Sequence, residues 1–469
     1  MDLLGTLRGI LGDGGVLSGG DCAPYLTDHR RLYQGRALAV ALPRTCEQVS
    51  QVLAACHGAR TGVVPQGGNT SYCGGATPDE SGRQLLLSLK RLNRVRGVDP
   101  ANYSLTAEAG CTLAEVQRAA REAERYFPLS VGSEGSCQIG GNLSTNAGGV
   151  HVLRYGMMRD LVLGLEVVLP DGTVLPLLSA LRKDNTGYDT RGLFLGAEGT
   201  LGVITAATLK LFPQIRATAT AFAAVADVAS AVALLGRLRE ASGDRVSSFE
   251  LLPRIAVELT ALHIPGVSDP LGGAHPWYVL CELSSSSAAE PLDERLTEAL
   301  GAALEAGLVT DAVVTRSERE RAALWKLRET VPEAQTREGA SLKHDISVPI
   351  SALPEFVARG AAWVSEHVPG ARLVAYGHVG DGNLHFNLSQ ARGADGAALT
   401  ARTGEVRRAL HDLAVGLGGS FSAEHGIGRS KVGELEHYAP PAELAVMRAM
   451  KRALDPHGIM NPGKVLRGE

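Results

Sequence analysis

Glycine places the strongest constraint on how this chain folds. There are 56 glycines among 469 residues, and many stand in short clusters flanked by Asn, Ser or Thr. A backbone without Cβ atoms can approach a ligand closely and adopts positive φ at little cost. Two such clusters, 66–71 and 132–149, lie in the first third of the chain, the first directly after a short apolar strand. Either alone is typical of a turn, but the two together predict a diphosphate held from two sides.

Composition excludes several classes of protein. Hydrophobic residues make up 45% of the chain and charged residues 20%, as in packed globular proteins. The formal net charge of −4 argues against a nucleic-acid partner, because such binding needs a basic surface. No apolar run reaches the roughly 18 residues of a membrane span, and no basic segment typical of a signal peptide opens the chain. Seven scattered cysteines without a Cys-x-x-Cys pair predict buried thiols in a reducing cytoplasm.

The spacing of apolar residues predicts an α+β chain. Up to Phe212 and Pro213, short apolar strands alternate with amphipathic helices, such as a helix over 46–58 that Thr45 caps. Beyond residue 217, alanine-rich helical runs alternate with isolated strands such as 277–283. The change of texture predicts three parts, which are a first domain over 1–213, a second over 214–420, and a C-terminal segment over 421–469.

Two histidines in the second domain flank a predicted hairpin. Asp381 and Gly382 form a favoured turn, and centring the hairpin there makes His378 and His385 directly opposed. Opposed residues on one face of a sheet have Cβ atoms about 4.5–5.5 Å apart, which suits two imidazoles that bind one metal. Asn387 shares the face of His385. An isolated pair of histidines is more often two solvent-exposed polar residues of a hairpin that binds nothing.

A second motif favours the metal interpretation. Glu424 and His425 are adjacent on a Gly-flanked loop and offer a third ligand and a general base. Two histidines and one carboxylate with open positions are typical of a catalytic metal rather than a structural one. The sequence alone does not place this loop beside the hairpin.

The glycine clusters also carry a family resemblance. No Gly-x-Gly-x-x-Gly is present, so a Rossmann dinucleotide site has no support. Over about residues 35–214, the motifs at 43–45, 66–71, 140–149 and 196–202 resemble the FAD-binding domain of the vanillyl-alcohol-oxidase/p-cresol-methylhydroxylase flavoproteins. The resemblance implies FAD in a two-subdomain α+β fold, held non-covalently because the first loop has no His. It implies FAD contacts at Pro65, Gly67, Gly68, Asn69, Thr70, Ser71, Gly132, Ser133, Gly135, Ser136, Gly140, Gly141, Asn142, Thr145, Asn146, Gly148, Gly149, Glu198, Gly202, Ile204 and Asn461.

Residues 217–469 resemble the C-terminal domain of FAD-linked D-2-hydroxy-acid dehydrogenases. The resemblance implies a substrate domain, or cap, built on an antiparallel sheet flanked by helices. It implies a divalent metal on His378, His385 and Glu424, usually zinc, with manganese and iron left open. It also implies that His425 takes the proton of the substrate hydroxyl while hydride passes to flavin N5. The tail that contains Asn461 would return to the flavin.

Substrate size is predicted from two cations. Arg328 can clamp a carboxylate in bidentate fashion and Lys343 can act as a point charge, so the pair suits a dicarboxylate better than lactate. The Lys343 segment resembles the D-2-hydroxyglutarate branch, in which Arg328, Lys343, Asn387 and His425 would contact substrate. Pro332 departs from the Thr of some members of that branch.

Three alternatives stay open from the sequence. They are a D-lactate or glycolate dehydrogenase, a non-catalytic FAD-binding subunit of a larger oxidase, and an oxidase that passes electrons to O₂. We expect a diffusible electron acceptor such as electron-transfer flavoprotein, and the chain is compatible with a homodimer.

Overall fold

The structure, a computed structural model, describes residues 2–468. Its α-helices are α1 (Leu3–Leu11), α2 (Cys46–Gly58), α3 (Leu113–Glu122), α4 (Ile139–Ser144), α5 (Val152–Tyr155), α6 (Val228–Ser242), α7 (Arg254–His263), α8 (Leu292–Glu305), α9 (Glu318–Glu329), α10 (Val331–Glu338), α11 (Leu353–His367), α12 (Gly396–Ala401), α13 (Thr403–Gly416), α14 (Val432–Tyr438) and α15 (Pro441–Leu454).

The strands follow the same chain order. They are β1 (Val16–Leu17), β2 (Ala39–Ala41), β3 (Val63–Gln66), β4 (Leu85–Ser88), β5 (Val95–Asp99), β6 (Ser104–Glu108), β7 (Arg125–Tyr126), β8 (Val162–Val168), β9 (Val174–Leu177), β10 (Val203–Lys210), β11 (Phe212–Pro213), β12 (Ala217–Val225), β13 (Val246–Pro253), β14 (Trp277–Ser285), β15 (Asp311–Val314), β16 (Ser341–Leu342), β17 (Asp345–Ser347), β18 (Arg372–His378) and β19 (Asn383–Ser389).

The chain forms two compact units. Unit 1 comprises the residues up to 149, 156–214 and those from 424 on, and unit 2 comprises 150–155 and 215–423. The short segment 150–155, which includes α5, therefore groups with unit 2 although the sequence around it belongs to unit 1. No sequence signal indicated this assignment, because α5 is a single helical turn.

Unit 1 contains two main sheets, which gives the two-subdomain α+β fold predicted from the sequence. The first has the order β1-β2-β4-β3, with β2, β4 and β3 parallel, and the second has the antiparallel order β5-β6-β10-β8-β9. The helix α2 connects β2 to β3 and buries Val49, Val52 and Leu53 against the first sheet. It begins where the sequence predicts, because the Thr45 side chain accepts the backbone N–H of Gln48 at 3.2 Å.

Unit 2 is an eight-stranded antiparallel sheet covered by helices on both faces, which confirms the predicted cap architecture. Its order is β15-β12-β14-β13-β18-β19-β16, with β17 also paired to β19. On one face, α6, α8, α11 and α13 bury residues such as Phe249 and Phe386. On the other face, α7, α9 and α10 cover residues such as Leu252 and Tyr376. We call this second face the α9 face.

The C-terminal tail is built into unit 1. After α15 the chain runs alongside the edge strand β3, where the N–H of Val63 donates to Ile459 O (2.7 Å) and the N–H of Asn461 donates to Val63 O (2.8 Å). The carboxylate of Asp455, which is 2% exposed, accepts the N–H groups of Ile459 (3.0 Å) and Met460 (2.8 Å) and binds Lys451 Nζ. One buried carboxylate thus fixes the turn that sends the tail back to β3.

Six of the seven cysteines are buried and Cys46 is partly buried, as the sequence predicts. Burial raises the pKa of the Cys56 thiol to about 12. Within residues 2–468, none of the helices has the length and apolar character that crossing a membrane requires.

We expect Asp455→Ala to destabilise unit 1. The change leaves two buried N–H groups without their acceptor and a lysine without its counter-charge, at a cost of about 2–3 kcal/mol, or roughly 5–10 °C in the unfolding midpoint. Thermal unfolding followed by circular dichroism measures the loss. Glu443→Ala, at an exposed position of α15, serves as the control and should leave the midpoint nearly unchanged. Equal midpoints for the two variants would contradict the role given to Asp455.

Candidate functional site

The two glycine clusters of unit 1 meet at one cleft. A cavity of about 520 Å³ is lined by Gly67, Gly68 and Asn69 from the first cluster and by Ser136 of the second, with Gln138 beside it. A Cβ added to Gly68 would lie 2.0 Å from the carbonyl oxygen of Ser136. Only glycine allows the two backbones to come this close. We call this cleft the cradle; the main-chain groups that the glycines expose at its edge suit a diphosphate.

The third glycine motif joins the same region. In the loop 196–202, the N–H of Gly196 donates to Leu143 O and the N–H of Glu198 donates to Ser144 O, so the loop is bonded to α4. The Asn461 side chain donates to Gly75 O (3.0 Å) and Glu198 O (2.8 Å), which attaches the C-terminal tail here as well.

Four of the predicted cofactor residues have positive φ. They are Asn69 (54°), Asn146 (48°), Glu198 (51°) and Asn461 (45°). Non-glycine residues adopt this conformation rarely, and Asn does so more readily than most. Tight turns at these positions let the surrounding loops converge.

The Glu198 carboxylate holds a loop that the sequence did not connect to it. Its two oxygens accept the N–H groups of Ile427 (2.7 Å) and Gly428 (2.8 Å), directly after the predicted base His425. Burial raises the pKa of Glu198, and the two backbone donors oppose that shift. Gly426 and Gly428 have positive φ, and a Cβ on Gly428 would lie 2.2 Å from Cys73 O. The loop after His425 is therefore fixed by backbone contacts.

Glu424 and His425 lie near Tyr72, the residue that follows the first glycine cluster. The His425 ring meets the Tyr72 ring edge-on at a centroid distance of 4.7 Å. Oε1 of Glu424 lies 3.6 Å from Nε2 of His425. Burial, and then the charge of Glu424, raises the pKa of Tyr72. The imidazole of His425 is thus partly exposed, aromatic on one side and next to a carboxylate.

The histidine hairpin of unit 2 is present, but its predicted register is wrong. His378 pairs with Asn383, and His385 pairs with Tyr376. The turn is a 3₁₀ turn over Val379–Asp381 closed by Gly382 in the left-handed conformation, so its centre lies one residue earlier than expected. The residue opposite each histidine is therefore two positions away from the one expected. Because side chains alternate with a period of two, both histidines still lie on the same face. They are diagonal neighbours with ring centroids 6.1 Å apart.

A buried glutamate joins one of these histidines to a predicted substrate residue. Glu250 of β13 has no exposed surface; its Oε1 lies 2.5 Å from Nδ1 of His378, and its Oε2 accepts Nε of Arg328 at 2.6 Å. Burial opposes ionisation of Glu250, but the charges of Arg328 and His378 outweigh burial and lower its pKa to about 2. Burial likewise lowers the pKa of His378, and the Glu250 carboxylate outweighs it and raises the pKa to about 9.

Arg328 is itself held from two sides. It lies on α9, is 6% exposed, and its guanidinium lies 4.9 Å from the centre of the Tyr376 ring. Such a cation–π contact adds to the ion pair in fixing the guanidinium plane.

The other predicted substrate residues occupy different surroundings. Lys343 is exposed between β16 and β17. Asn387 is buried on the α9 face, where its amide donates to Gln335 Oε1 (3.0 Å) and its carbonyl accepts the N–H of His344 (3.1 Å). Pro332 stands in the first turn of α10, where its missing N–H costs nothing.

Sequence reasoning missed Glu250, Tyr72 and Gln138. Glu250 had a readable signal, because it is the one charged residue in the otherwise uncharged strand Val246–Pro253. A buried charge in such a strand requires a partner. Tyr72 and Gln138 had none, since their roles depend on which loops meet.

Comparison with known proteins finds a family match in each half of the chain. Residues 37–177 match the family described as "FAD binding domain", and residues 214–465 match "FAD linked oxidases, C-terminal domain". The chain is 40% identical to the mitochondrial D-2-hydroxyglutarate dehydrogenase of Bos taurus, over 94% of this chain and 79% of that protein. It is 37% identical to the D-2-hydroxyglutarate dehydrogenase of Xanthomonas citri pv. viticola, over 95% of this chain and 92% of that protein.

Solved structures share the fold at low identity. A p-cresol methylhydroxylase with substrate bound superposes with a TM-score of 0.76 at 17% identity, over 99% of this chain and 96% of that one. An alkyldihydroxyacetonephosphate synthase gives a TM-score of 0.74 at 17% identity, over 98% and 85%. At this identity the likeness concerns the fold alone.

We expect Gly68→Ala to abolish retention of FAD, because the new methyl group would collide with the backbone of Ser136. The ratio of flavin to protein absorbance after purification measures the loss. Gly97→Ala, on β5 with open space around its Cβ, is the matched control and should keep its flavin. A Gly68→Ala protein that is as yellow as the control would show that the cradle does not need this close approach.

Proposed function

The chain belongs to the FAD-linked oxidases and, within them, to the D-2-hydroxyglutarate dehydrogenase family, and we propose that it oxidises D-2-hydroxyglutarate to 2-oxoglutarate. One observation carries the proposal: the α9 face of unit 2 bears two imidazoles and a buried guanidinium within one network. Imidazoles suit a divalent metal and a guanidinium suits a carboxylate. The substrate of the relatives at 37–40% identity has both a hydroxy-acid end and a second carboxylate.

FAD would occupy the cradle of unit 1. Gly67 and Gly68 would bind its diphosphate through backbone N–H groups, and the absence of a His in the loop 66–71 favours a non-covalent cofactor. When bound, FAD accepts the hydride that leaves C2 of the substrate. The cradle fits the cofactor because it is shaped by backbone approaches that a Cβ would block.

A divalent metal would be held by His378, His385 and Glu424, which offer two ring nitrogens and a carboxylate oxygen. The two histidine rings, whose centroids lie 6.1 Å apart on one face of the sheet of unit 2, would supply two of its ligands.

The path of the chain to Glu424 supports its place among the ligands. In unit 2, the N–H of Ala423 donates to Asp345 O, and Asp345 is paired with His385. Glu424 is the next residue along the chain. When bound, the metal would act as a Lewis acid on the substrate hydroxyl. Zinc is the first candidate, with manganese and iron as alternatives.

The residues of the chain then have separate roles. His425 would accept the hydroxyl proton at an imidazole nitrogen. Arg328 and Lys343 would bind the distal carboxylate of the substrate. Asn387 would contact the substrate from the sheet face that also carries His385.

Two further expectations from the sequence remain proposals. We propose a cytoplasmic location, although the bovine relative is named mitochondrial; the Xanthomonas relative carries no such designation. We also propose a diffusible electron acceptor such as electron-transfer flavoprotein.

Anaerobic addition of D-2-hydroxyglutarate to the purified yellow protein should bleach the visible flavin band. D-Malate and D-lactate should act more slowly, because the shorter acid fits the two cations less well and the monocarboxylate offers them no group at all. Stopped-flow absorbance gives the three rates, and L-2-hydroxyglutarate is the stereochemical control. If D-lactate reduced the flavin as fast as the dicarboxylate, a D-lactate dehydrogenase would be the better assignment.

His425→Ala should keep FAD and metal but lose turnover by about 10²–10⁴-fold, the usual contribution of a general base. Steady-state kinetics with an artificial electron acceptor measures the change. His437→Ala, an exposed histidine on α14, is the matched control and should turn over normally. Undiminished turnover of the His425 variant would remove this residue from the mechanism.

A further inference from the structure

Glu250 lies where an ionised side chain has no solvent to stabilise it. It is fully buried in β13, between Phe249 and Leu251, whose side chains point to the opposite face. A carboxylate in such a place must be compensated by charge and by hydrogen-bond donors. Its two oxygens meet two different side chains, the imidazole of His378 and the guanidinium of Arg328, so its position is determined by both.

The contact with His378 determines where the imidazole carries its hydrogen. Oε1 of Glu250 lies 2.5 Å from Nδ1, so the carboxylate faces this ring nitrogen and favours a hydrogen on it. A neutral imidazole with hydrogen on Nδ1 presents its lone pair at Nε2. Outer-shell carboxylates fix metal-binding histidines in this way and raise their basicity.

The second oxygen of the same carboxylate accepts Nε of Arg328 at 2.6 Å. Nε is the inner nitrogen of the guanidinium, so this bond fixes the side chain near its root and sets the direction of its terminal nitrogens. Tyr376 covers the guanidinium and limits its rotation. One carboxylate therefore orients a histidine and an arginine at once.

We propose that Glu250 is a positioning residue that couples the metal site to the substrate-carboxylate site by holding His378 and Arg328 on one side chain. The proposal rests on the proposed function, which assigns metal binding to His378 and substrate binding to Arg328. It adds that the distance between the two sites is set by Glu250 rather than by the strands alone.

A neighbouring glutamate shows what a purely structural ion pair looks like in the same sheet. Glu282 of β14 is 5% exposed and binds Arg321 (3.0 Å), Trp325 Nε1 (2.9 Å) and the Thr220 hydroxyl (3.0 Å). None of these three partners is a histidine. It is therefore the matched control for the loss of a buried carboxylate charge.

The test compares Glu250→Gln with Glu282→Gln in the full-length, FAD-loaded protein. Each protein is stripped with a chelator and titrated with Zn²⁺, and bound metal is measured by elemental analysis and calorimetry. We expect Glu250→Gln to bind Zn²⁺ about 10–100-fold more weakly than the parent protein, the usual effect of losing an outer-shell partner. Glu282→Gln should bind within about threefold of the parent.

A second variant guards against a folding failure. Glu250→Gln removes the carboxylate that binds Arg328, so the double variant Glu250→Gln/Arg328→Met also removes this buried cation and should recover thermal stability. It should retain the same weakened Zn²⁺ affinity, while Arg328→Met alone should bind Zn²⁺ within about threefold of the parent. Recovery of both stability and metal affinity in the double variant would overturn the proposal, since Glu250 would then serve only to neutralise Arg328.

The coupling has its own measurement. With Zn²⁺ saturating, Glu250→Gln should raise the KM for D-2-hydroxyglutarate at least tenfold more than that for D-lactate, because only the dicarboxylate uses Arg328. Parent-like Zn²⁺ affinity in Glu250→Gln would overturn the positioning role alone. A parent protein that bound no Zn²⁺, Mn²⁺ or Fe²⁺ would overturn the metal site of the proposed function together with it.

Discussion

The buried carboxylate of Glu250 is the interaction on which the arrangement of unit 2 depends. Helices cover both faces of the sheet, α6, α8, α11 and α13 on one and α7, α9 and α10 on the other. A charge inside this packing must therefore be balanced locally. Arg328 reaches it from α9 and His378 from β18, at 2.6 and 2.5 Å. Removing one partner would leave an uncompensated buried charge, which costs far more than an exposed ion pair contributes. The network therefore keeps α9 and the histidine hairpin in fixed relation.

Unit 1 depends on a different constraint, the close approach of backbones. The cradle exists because Gly68 lets its loop come against Ser136, and because α4 accepts the loop that carries Glu198. The buried Glu198 carboxylate then holds the N–H groups after His425. Hydrogen bonds to main-chain groups thus join loops that are far apart in the sequence. The position of His425 is therefore a consequence of the same packing that forms the cradle.

The hairpin shows how far a local pattern determines a site. Asp381 and Gly382 identified the turn, and the alternation of strand side chains placed both histidines on one face. The register was still wrong by two residues, because a 3₁₀ turn over Val379–Asp381 replaced the expected two-residue turn. A register shift of one residue would have placed the histidines on opposite faces of the sheet. The shift of two residues keeps them on one face, as diagonal neighbours rather than directly opposed residues.

The sequence by itself determined the local elements: the capped helix α2, the glycine clusters, the two motifs with their histidines and acid, and the α+β pattern. Capping, turn formation and periodicity depend on residues a few positions apart, so they can be read along the chain. Only the tertiary structure decided that Glu250 partners His378 and Arg328, that Glu198 holds the loop after His425, and that the tail pairs with β3. Those contacts join residues more than 70 positions apart, and no local rule selects among the many partners that a buried charge or an edge strand could find.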